Sequence, residues 1–553
     1  GVYRVDMGRN FSGWTEIRFR GEPGGKVDLS FSEHADGSNE FNLRSACTLD
    51  DRGRGIFRNR FNYSSGRWIT ITGLNRPPDL PGIKGYVIRN DYKRASRFEC
   101  SSPLLNQIHD TVLWTFESLS LGGYVVDCPH RERMGYGGDA HATMEMALNH
   151  YGMGAFFTKW IEDWRDVQKP DGDLPYTAPT HWGGGGPAWS GVCVTLPWAV
   201  YERYTDLRIL KDTYPAMQRW IAFIDTKAHD NMLVKWGGHW DFLGDWVPPG
   251  KDQGKGRVDE YSTLFFNNCY YLYNVKQVAE IAELLGKGDE AKTYRRKAEK
   301  IRKAVHREFF NPKDNTYANG DQLYMALPLL VGVTPEELRQ PVMQALENEI
   351  MVAKNGHIDT GIHGTYFLIK TLTELNRSDL IFEMASKTDY PSWGHMLEEG
   401  ATTIWEQWDG EHSLLHSSFL SIGAWFIEGV AGIQLDPRHP GYKHFVIKPG
   451  MVGNLTWAKG ELDSIHGKIV SEWKIEDGAF TLNVTIPANT TATVHVPAKK
   501  TPDVSESGQP VAEAKGVKLL RMENGLAVFS VDSGSFRFAS KGLGIPSSPK
   551  PTD

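Results

Sequence analysis

The period of the hydrophobic pattern changes twice along this chain of 553 residues. Up to about residue 95 apolar and polar residues alternate, as at Val27, Leu29 and Phe31, which predicts β-strands. After Ser101-Ser102-Pro103, a typical helix start, apolar residues recur every three or four positions. Beyond Asp436-Pro437 the two-residue period returns. The pattern therefore predicts a helical domain between two β domains.

One helical hairpin can be read directly from the middle of the chain. Two apolar stripes at helical spacing are separated by Gly286, which can end a helix, and Asp289, which can cap the next one. The stripes are Val275, Val278, Ala282 and Leu285, followed by Tyr294, Ala298, Ile301, Val305 and Phe309. Roughly 330 residues with this period favour a toroid of paired helices over a four-helix bundle.

These patterns predict a multidomain α+β fold with four segments. We expect an N-terminal β-sandwich over 1–96, a helical domain over 97–435, a C-terminal β-sandwich over 436–540 and a disordered Pro/Ser-rich tail over 541–553. The chain begins without an initiator Met, so a truncated first domain and an upstream export signal both stay open.

Charge and hydropathy exclude two classes of partner. The net charge of −7 lacks the basic footprint of a nucleic-acid-binding protein. No apolar run reaches the roughly 18 residues of a membrane helix, so we expect a soluble protein with no membrane partner. A cytoplasmic location and a periplasmic or secreted one remain open, and the sequence does not determine the oligomeric state.

Charged residues concentrate in residues 127–139, which read Asp-Cys-Pro-His-Arg-Glu-Arg-Met-Gly-Tyr-Gly-Gly-Asp. Arg and Asp are rarely buried unless they are paired, and the Pro and Gly residues break regular structure and let backbone approach a ligand. A solvated loop with a few salt bridges is the alternative interpretation. The apolar Tyr124-Val125-Val126 before the motif favours a loop held on a core.

A second acidic stretch, residues 399–409, contains Glu406 between two tryptophans. Two carboxyl groups that face each other across a cleft are what cleavage of a glycosidic bond requires. Glu406 could instead be a surface acid beside a structural Trp. The 18 Trp residues favour a sugar ligand, because an indole face suits the C–H face of a pyranose. A single Trp is more often core than platform, but Trp189 and Trp246 lie in Gly- and Asp-rich loops.

Other chemistries have no motif in the sequence. The five cysteines show no CxxC spacing, and the histidines form no HExxH pattern, so neither a metal site nor a disulfide framework is expected. No phosphate-binding GxxxxGK[ST] loop and no GxSxG elbow occur, and we expect no cofactor. Cys128 is interpreted as a small buried packing residue.

Three segments together carry a family resemblance. Residues 127–139, Gly-Ala-Thr-Thr-Ile-Trp-Glu at 400–406 and Asp-Met-Gly-Arg-Asn-Phe-Ser-Gly-Trp at 6–14 are similar to those of the bacterial α-L-rhamnosidases of glycoside hydrolase family 78. The similarity extends over nearly the whole chain. It implies an (α/α)6 barrel flanked by β-sandwiches and an inverting exo-hydrolase that removes terminal α-linked L-rhamnose from a glycoside, an oligosaccharide or a polysaccharide.

The resemblance also implies roles for individual residues. Glu132 would be the general acid and Glu406 the general base, about 6.5–9.5 Å apart in a blind pocket for one sugar. The residues implied to hold or line the sugar are Asp127, Arg131, Tyr136, Asp139, Trp189, Trp246 and His416. Two positions depart from the commonest family pattern: Glu132 directly follows Arg131, where many members have an extra residue, and Tyr136 replaces a Trp.

Two rival hypotheses come from other classes of function. One is another enzyme on the same toroid, such as an unsaturated-uronide hydrolase or a polysaccharide lyase. The other is a carbohydrate-binding protein without catalysis, in which the carboxylates only hold hydroxyls. The aglycone is open among flavonoid glycosides, pectic rhamnogalacturonan and sulfated algal polysaccharides.

Overall fold

The computed structural model describes residues 1–183, 186–238, 240–250 and 259–541. It has a mixed α and β architecture in which sheets at both ends of the chain flank a helical part. Most of the predicted tail, residues 542–553, lies outside the described residues. Within the described ranges, no helix is both long enough and apolar enough to cross a membrane.

The N-terminal strands form one six-stranded antiparallel sheet in the order β3-β2-β5-β1-β4, with β6 also paired to β1. The alternation predicted for Val27, Leu29 and Phe31 is confirmed, since all three are buried in β2. Their side chains join a core with Ile69 and Ile71 of β5. The strands are β1 Val2–Arg20, β2 Lys26–Ser32, β3 Arg44–Thr48, β4 Arg54–Arg58, β5 Ser64–Thr72 and β6 Ile83–Val87.

The helical part begins where the sequence predicts. Ser102 is the N-cap of the first helix, Pro103 is its first residue, and the Ser102 hydroxyl accepts a hydrogen bond from the Leu105 amide. The helices are α1 Pro103–Leu119, α2 Gly137–His150, α3 Gly154–Asp166, α4 Pro187–Ser190, α5 Val192–Tyr204, α6 Leu207–Asp225, α7 Glu260–Leu284, α8 Gly288–Phe309, α9 Gln322–Val331, α10 Glu336–Asn348, α11 Ile362–Glu374, α12 Ser378–Ala385, α13 Trp393–Glu398 and α14 Ile422–Trp425. Two π-helical turns, Glu349–Ala353 and Phe426–Val430, continue α10 and α14.

The predicted hairpin is the pair α7 and α8, which pack along each other. Gly286 lies just beyond α7 at φ 74°, the left-handed conformation that suits a helix end. Asp289 does not cap α8, because that helix already begins at Gly288 after Lys287. Asp289 lies instead in the first turn, where its charge is favourable to the helix dipole.

Contacts among six helices follow a closed order. Helix α2 contacts α5, α5 contacts α7, α7 contacts α9, α9 contacts α11, α11 contacts α14, and α14 contacts α2 again. Three short antiparallel hairpins lie in the connections between helices. They are β8 Ser120–Leu121 with β9 Tyr124–Val125, β10 Ala228–His229 with β11 Met232–Leu233, and β12 Phe310–Asn311 with β13 Thr316–Tyr317.

The C-terminal strands form a seven-stranded and a five-stranded sheet. The first of these sheets also includes β7 Ser96–Cys100, the strand just before α1, which pairs with Trp457–Ser464. The predicted alternation behind the Asp477-Gly478 turn is confirmed in Ala479–Ile486. The remaining strands are Ile433–Leu435, His444–Ile447, Gly467–Glu476, Thr491–Pro497, Val504–Glu506, Gln509–Pro510, Val517–Glu523, Leu526–Val531 and Gly534–Lys541.

The N-terminal sheet is fixed to the helical part through β1. The Asn10 amide donates to Thr402 Oγ1 at 3.0 Å, and its side-chain amide donates to Thr403 Oγ1 at 3.1 Å. The indole of Trp114 in α1 donates to the Asn10 carbonyl at 2.7 Å. These bonds hold the loops of the sheet beside the segment that contains Glu406.

The start of α2 requires a glycine, which gives a test of the packing. A Cβ on Gly137 would lie 1.8 Å from the Trp189 carbonyl oxygen, so Gly137→Ala must separate α2 from α4. We expect the variant to lose about 1–3 kcal/mol of stability, seen as a lower thermal unfolding midpoint. Gly288→Ala is the matched control, because a Cβ there meets no atom within 4 Å and the helix should tolerate it. Equal midpoints for the two variants would contradict this packing.

Candidate active site

The motif 127–139 is the loop between β9 and α2. Its base is closed by two hydrogen bonds: the Asp127 amide donates to the Met134 carbonyl at 3.0 Å, and the Met134 amide donates to Asp127 Oδ1 at 2.9 Å. Arg133 has φ 61° and donates to the Pro129 carbonyl, so the loop turns back on itself. The result is a compact loop that is closed at its base, and the side chains of residues 130–132 project from it.

The same loop is held against the N-terminal sheet. Arg133 Nη1 donates to Asn62 Oδ1 at 2.5 Å, and the guanidinium lies 4.1 Å from the centre of the Tyr63 ring. His130 Nδ1 lies 3.2 Å from Oε1 of the buried Glu33. The motif is therefore a loop held on a core, as the sequence predicted, and part of that core comes from the N-terminal sheet.

Arg131 is the centre of the charge arrangement. Its Nη2 donates to Glu406 Oε2 at 2.7 Å, its Nη1 donates to Glu40 Oε2 at 3.0 Å, and its Nε lies 3.8 Å from Glu132 Oε1. The side chain of Arg131 is only 8% exposed. One guanidinium thus joins three carboxylates from three distant parts of the chain, which is the pairing that a buried Arg requires.

The two candidate catalytic acids differ in exposure. The Glu132 side chain is 32% exposed and accepts a 2.8 Å hydrogen bond from the Tyr136 hydroxyl. The Glu406 side chain is 3% exposed. Glu132 can therefore meet a group that enters from solvent, whereas Glu406 lies deeper beside Arg131.

Glu406 is positioned by a short backbone pairing. Its amide donates to the Ser413 carbonyl at 2.9 Å, and the Ser413 amide lies 3.3 Å from Glu406 Oε2. Burial raises the pKa of Glu406, and the positive charge of Arg131 is the main opposing influence. The ionised form of Glu406 therefore depends on Arg131.

Asp127 and Asp139 add two buried carboxyl groups to the site. Burial raises the pKa of Asp139 to about 7, against a hydrogen bond from Ser417 that lowers it and with the charges of Glu132 and Glu406 adding to the rise. Burial also raises the pKa of Asp127 well above its usual value, helped by Glu132 and Asp139. Burial and the mutual repulsion of these carboxyl groups therefore favour the protonated forms of Asp127 and Asp139.

His416 completes the polar set. Its amide donates to the Ile404 carbonyl at 2.9 Å, its Nδ1 lies 2.8 Å from Ser418 Oγ, and the same nitrogen lies 3.9 Å from Asp139 Oδ1. Burial holds the pKa of His416 well below its usual value, with Arg131 adding to the effect. The imidazole is therefore neutral and can exchange hydrogen bonds with hydroxyl groups.

The structure places the two candidate platform tryptophans differently. Trp189 is 5% exposed and covers the first turn of α2, where a Cβ on Gly138 would lie 2.7 Å from its indole nitrogen. That turn also contains Asp139. Trp246 is half-buried, its ring centre lies 6.0 Å from that of Trp240, and its carbonyl accepts from the first amide of α11.

Sequence reasoning missed the residues that the N-terminal sheet contributes. Besides Glu40, Glu33 enters the site: its Oε2 accepts from the Leu414 amide at 2.6 Å and from the Ser413 hydroxyl at 3.0 Å. Both acids follow β2 in a polar segment that reads as an ordinary loop. No local sequence pattern predicts which loop of a sheet contacts a distant motif, so no signal in the single sequence identifies Glu33 and Glu40.

Asp127, Cys128 and His416 also place three potential metal-ligand atoms within 4.8 Å of one another. The Cys128 thiol donates to Asp127 Oδ2 at 3.0 Å. Burial and the Asp127 charge raise the pKa of this thiol well above its usual value, so it keeps its proton. Cys128 is fully buried, which agrees with its interpretation as a packing residue.

Family models match almost the whole chain. The model of the bacterial α-L-rhamnosidase 6 hairpin glycosidase domain matches residues 93–430. The bacterial α-L-rhamnosidase concanavalin-like domain matches residues 1–89, and the C-terminal domain matches residues 432–510.

Individual relatives agree with these models. The α-L-rhamnosidase of Streptomyces avermitilis is 31% identical over 97% of this chain and 52% of its own length. An α-L-rhamnosidase of Formosa agariphila is 27% identical over 97% of this chain and 59% of its own. The chain therefore spans about half the length of the curated relatives it matches.

Solved structures give the same result. An α-L-rhamnosidase from Dictyoglumus thermophilum superposes with a TM-score of 0.89 at 30% identity, covering 98% of this chain and 62% of that one. The Streptomyces avermitilis α-L-rhamnosidase complexed with L-rhamnose gives a TM-score of 0.88 at 29% identity, covering 98% and 52%. From the three family models and these relatives, the chain belongs to the bacterial α-L-rhamnosidases of glycoside hydrolase family 78.

Proposed function

We propose that this chain hydrolyses terminal α-linked L-rhamnose from a glycoside, an oligosaccharide or a polysaccharide, with inversion at the anomeric carbon. Glu132 is the general acid and Glu406 the general base. The observation that carries the proposal is the contact of one guanidinium, that of Arg131, with both carboxylates. Inverting enzymes hold their two carboxyl groups roughly 6.5–9.5 Å apart. Glu132 Oε1 lies 3.8 Å from Arg131 Nε, and Glu406 Oε2 lies 2.7 Å from Arg131 Nη2. Because both contacts are to one guanidinium, these two oxygens cannot lie farther apart than the upper end of that range.

The division of roles follows from the two environments. Glu132, the more exposed acid, faces the leaving oxygen, and the Tyr136 hydroxyl fixes the orientation of its carboxyl group. Glu406 is buried, and Arg131 favours its ionised form, as a base requires. A water held by Glu406 attacks the anomeric carbon while Glu132 gives its proton to the departing oxygen, so the reaction is a single displacement.

The remaining polar groups form the proposed sugar subsite. Asp127 and Asp139 supply carboxyl groups, and His416 supplies a neutral imidazole, which together can accept from and donate to ring hydroxyls. Trp189, Trp246 and Tyr136 are the proposed walls. The solved relative from Streptomyces avermitilis complexed with L-rhamnose supports this sugar as the ligand.

The architecture proposed for this function is an (α/α)6 barrel flanked by β domains, with the two C-terminal sheets as a β-sandwich. The N-terminal sandwich expected from the sequence is instead described by one six-stranded sheet. The closed order of contacts among α2, α5, α7, α9, α11 and α14 supports the barrel. We propose domain boundaries of 1–96, 97–435 and 436–540, with the strand at 96–100 joining the C-terminal sheet. The pocket at the start of the inner helices takes one terminal sugar.

Substrate selectivity tests the proposal. Purified protein should hydrolyse 4-nitrophenyl α-L-rhamnoside at least tenfold faster than the matching α-L-mannoside and α-D-glucoside. Binding of rhamnose without turnover would indicate a carbohydrate-binding protein. A product with new ultraviolet absorption from a polymer would indicate a lyase. A drop in the viscosity of a rhamnose-containing polymer before monosaccharide appears would contradict exo action.

The two glutamates should respond differently to the leaving group. Protonation matters less when the leaving group is acidic, so Glu132→Gln should lose about 10²–10⁴-fold on an alkyl or sugar rhamnoside and much less on the nitrophenyl one. Glu406→Gln should lose activity on both substrates to a similar degree, because every substrate needs the activated water. Measuring kcat/KM for both variants on both substrates checks the assignment, which is reversed if Glu406→Gln is the selective variant.

Glu40 should act as a positioning residue through Arg131. Burial would raise the pKa of Glu40, but hydrogen bonds and charge from His412 and Arg131 outweigh it and lower the pKa, so Glu40 is ionised. Glu40→Gln leaves Arg131 with one fewer competing carboxylate, so the pKa of Glu406 should fall. A reaction that needs ionised Glu406 slows at pH values below the pKa of Glu406. The acid limb of the pH profile of kcat/KM should therefore move to lower pH by a few tenths of a unit.

A matched control separates this effect from general loss of charge. Glu411→Gln removes a carboxylate beside His412. Among the described residues Arg131 pairs with Glu40, Glu132 and Glu406 and not with Glu411, so this variant should leave the acid limb nearly in place. A Glu40→Gln variant with lower kcat but an unmoved acid limb would mean that Glu40 only supports the loop.

A further inference from the structure

A cavity lies away from the candidate catalytic carboxylates. It has a volume of about 830 Å³, within the range of small-molecule sites. Helices α2, α5 and α11 begin beside Asp139, Trp189 and Trp246 respectively, and the second half of each helix lines this cavity. The cavity therefore lies toward the C-terminal ends of helices whose N-terminal ends build the active site.

Several buried polar atoms on the cavity wall have no hydrogen-bond partner within the described part of the chain, among them one each on Gln277 and Thr373. Gln277 is 6% exposed, and its Oε1 is unpaired. Thr373 is 8% exposed, and its Oγ1 is also unpaired. Buried polar groups are normally satisfied, so two orphan acceptors on one cavity wall point to a ligand that donates hydrogen bonds.

Two of the carboxylates that line the cavity already have partners. Glu145 accepts from the Tyr366 hydroxyl at 2.9 Å and from Lys370 at 2.7 Å. Glu428 accepts from Arg203 at 2.6 Å. These pairs use Arg203 and Lys370. The other cations that line the cavity also have partners: Lys276 donates to the Val331 carbonyl, Arg295 pairs with Glu280, and Arg302 pairs with Glu299.

Glu202 differs from them, since no hydrogen bond or ion pair joins it to another described residue. Burial raises the pKa of Glu202 to about 7, against the lowering by Lys370 and Arg203 and with Glu145 and Glu374 adding to the rise. Above that pH the cavity holds a carboxylate that lacks a counter-ion of its own.

The backbone favours a positive ligand as well. The last turns of α5, α9 and α11 end at the cavity, and helix C-termini carry partial negative charge on their free carbonyls. Trp198 and Tyr273 add aromatic surface, which can lie against a cation.

We propose that this cavity binds a small organic cation, a protonated amine with further N–H or O–H donors, with Glu202 as its anchoring carboxylate. Gln277 Oε1 and Thr373 Oγ1 accept the ligand's other donors, and Trp198 and Tyr273 form the walls. The site is separate from the glycosidase site, and this inference stands whether or not the proposed hydrolysis is correct.

Titration calorimetry with 1,4-diaminobutane tests the inference at constant ionic strength. The native protein should bind one equivalent at pH 8 and bind it several-fold more weakly at pH 6, because Glu202 must lose its proton to pair with the amine. The charged groups that face Glu202, namely Glu145, Arg203, Lys370 and Glu374, do not reverse this sign, since Arg203 and Lys370 remain cationic over the range. Glu202→Gln should weaken binding about tenfold or more.

Two further variants define the site. Glu280→Gln, at the rim and paired with Arg295, should bind the diamine as the native protein does. Gln277→Leu should weaken binding several-fold, and it provides a second test if Glu202→Gln does not fold. Hydrolysis of the nitrophenyl rhamnoside should be unchanged in Glu202→Gln.

Several outcomes would overturn the inference. They are no saturable binding to the native protein at ~10 mM diamine, equal binding to Glu202→Gln and the native protein, tighter binding at pH 6 than at pH 8, and displacement of the diamine by L-rhamnose. The last result would place the amine in the catalytic pocket.

Discussion

The buried guanidinium of Arg131 is the constraint on which the rest of the site depends. A cation that is 8% exposed is stable only with carboxylates around it, and Arg131 takes them from the N-terminal sheet, from its own loop and from the segment after α13. The site therefore cannot be complete unless the N-terminal sheet is docked. The bonds of Asn10 to Thr402 and Thr403, and those of Arg133 to Asn62, do this docking.

The same guanidinium is outnumbered by acids. Asp127, Asp139, Glu132 and Glu406 form a cluster in which burial and mutual repulsion raise the pKa of three members. Such crowding costs stability in the empty protein, and it is typical of functional sites. Carboxyl groups that keep their protons near neutral pH can both donate to and accept from hydroxyl groups, so under the proposed function the crowding serves sugar recognition as well as catalysis.

Local patterns predicted much of the fold. The alternation in β2, the cap at Ser102 and the stripes of α7 and α8 depend on neighbours in sequence, and the structure confirms them. The cap expected at Asp289 was wrong, because α8 starts at Gly288, two residues earlier than that cap implies, and places the carboxylate in its first turn. The sequence also did not indicate that the strand before α1 belongs to the C-terminal sheet, since that pairing spans more than 350 residues.

The site was predictable only where a motif concentrates it. Residues 127–139 could be singled out from their charges and glycines, and Glu406, 275 residues from Arg131, from the acids and tryptophans around it. The family resemblance added the roles of acid and base. Glu33 and Glu40 could not be found, because they reach the site through a contact between distant loops. The hydrophobic periodicity of a sequence does not predict such contacts. Glu202 was missed for another reason: in the last turn of a helix, beside Arg203, a Glu reads as a solvated residue, and only the cavity beside it reveals that its carboxylate lacks a partner.

The central claim is that Glu132 and Glu406 work as acid and base on one anomeric carbon in a single displacement. Proton NMR of the first sugar released from an aryl α-L-rhamnoside, recorded before mutarotation, tests this most directly. The account predicts β-L-rhamnose as the initial product, because the water held by Glu406 attacks the face opposite the leaving group. Initial release of α-L-rhamnose would require a covalent intermediate and would contradict the assignment of Glu406 as the base.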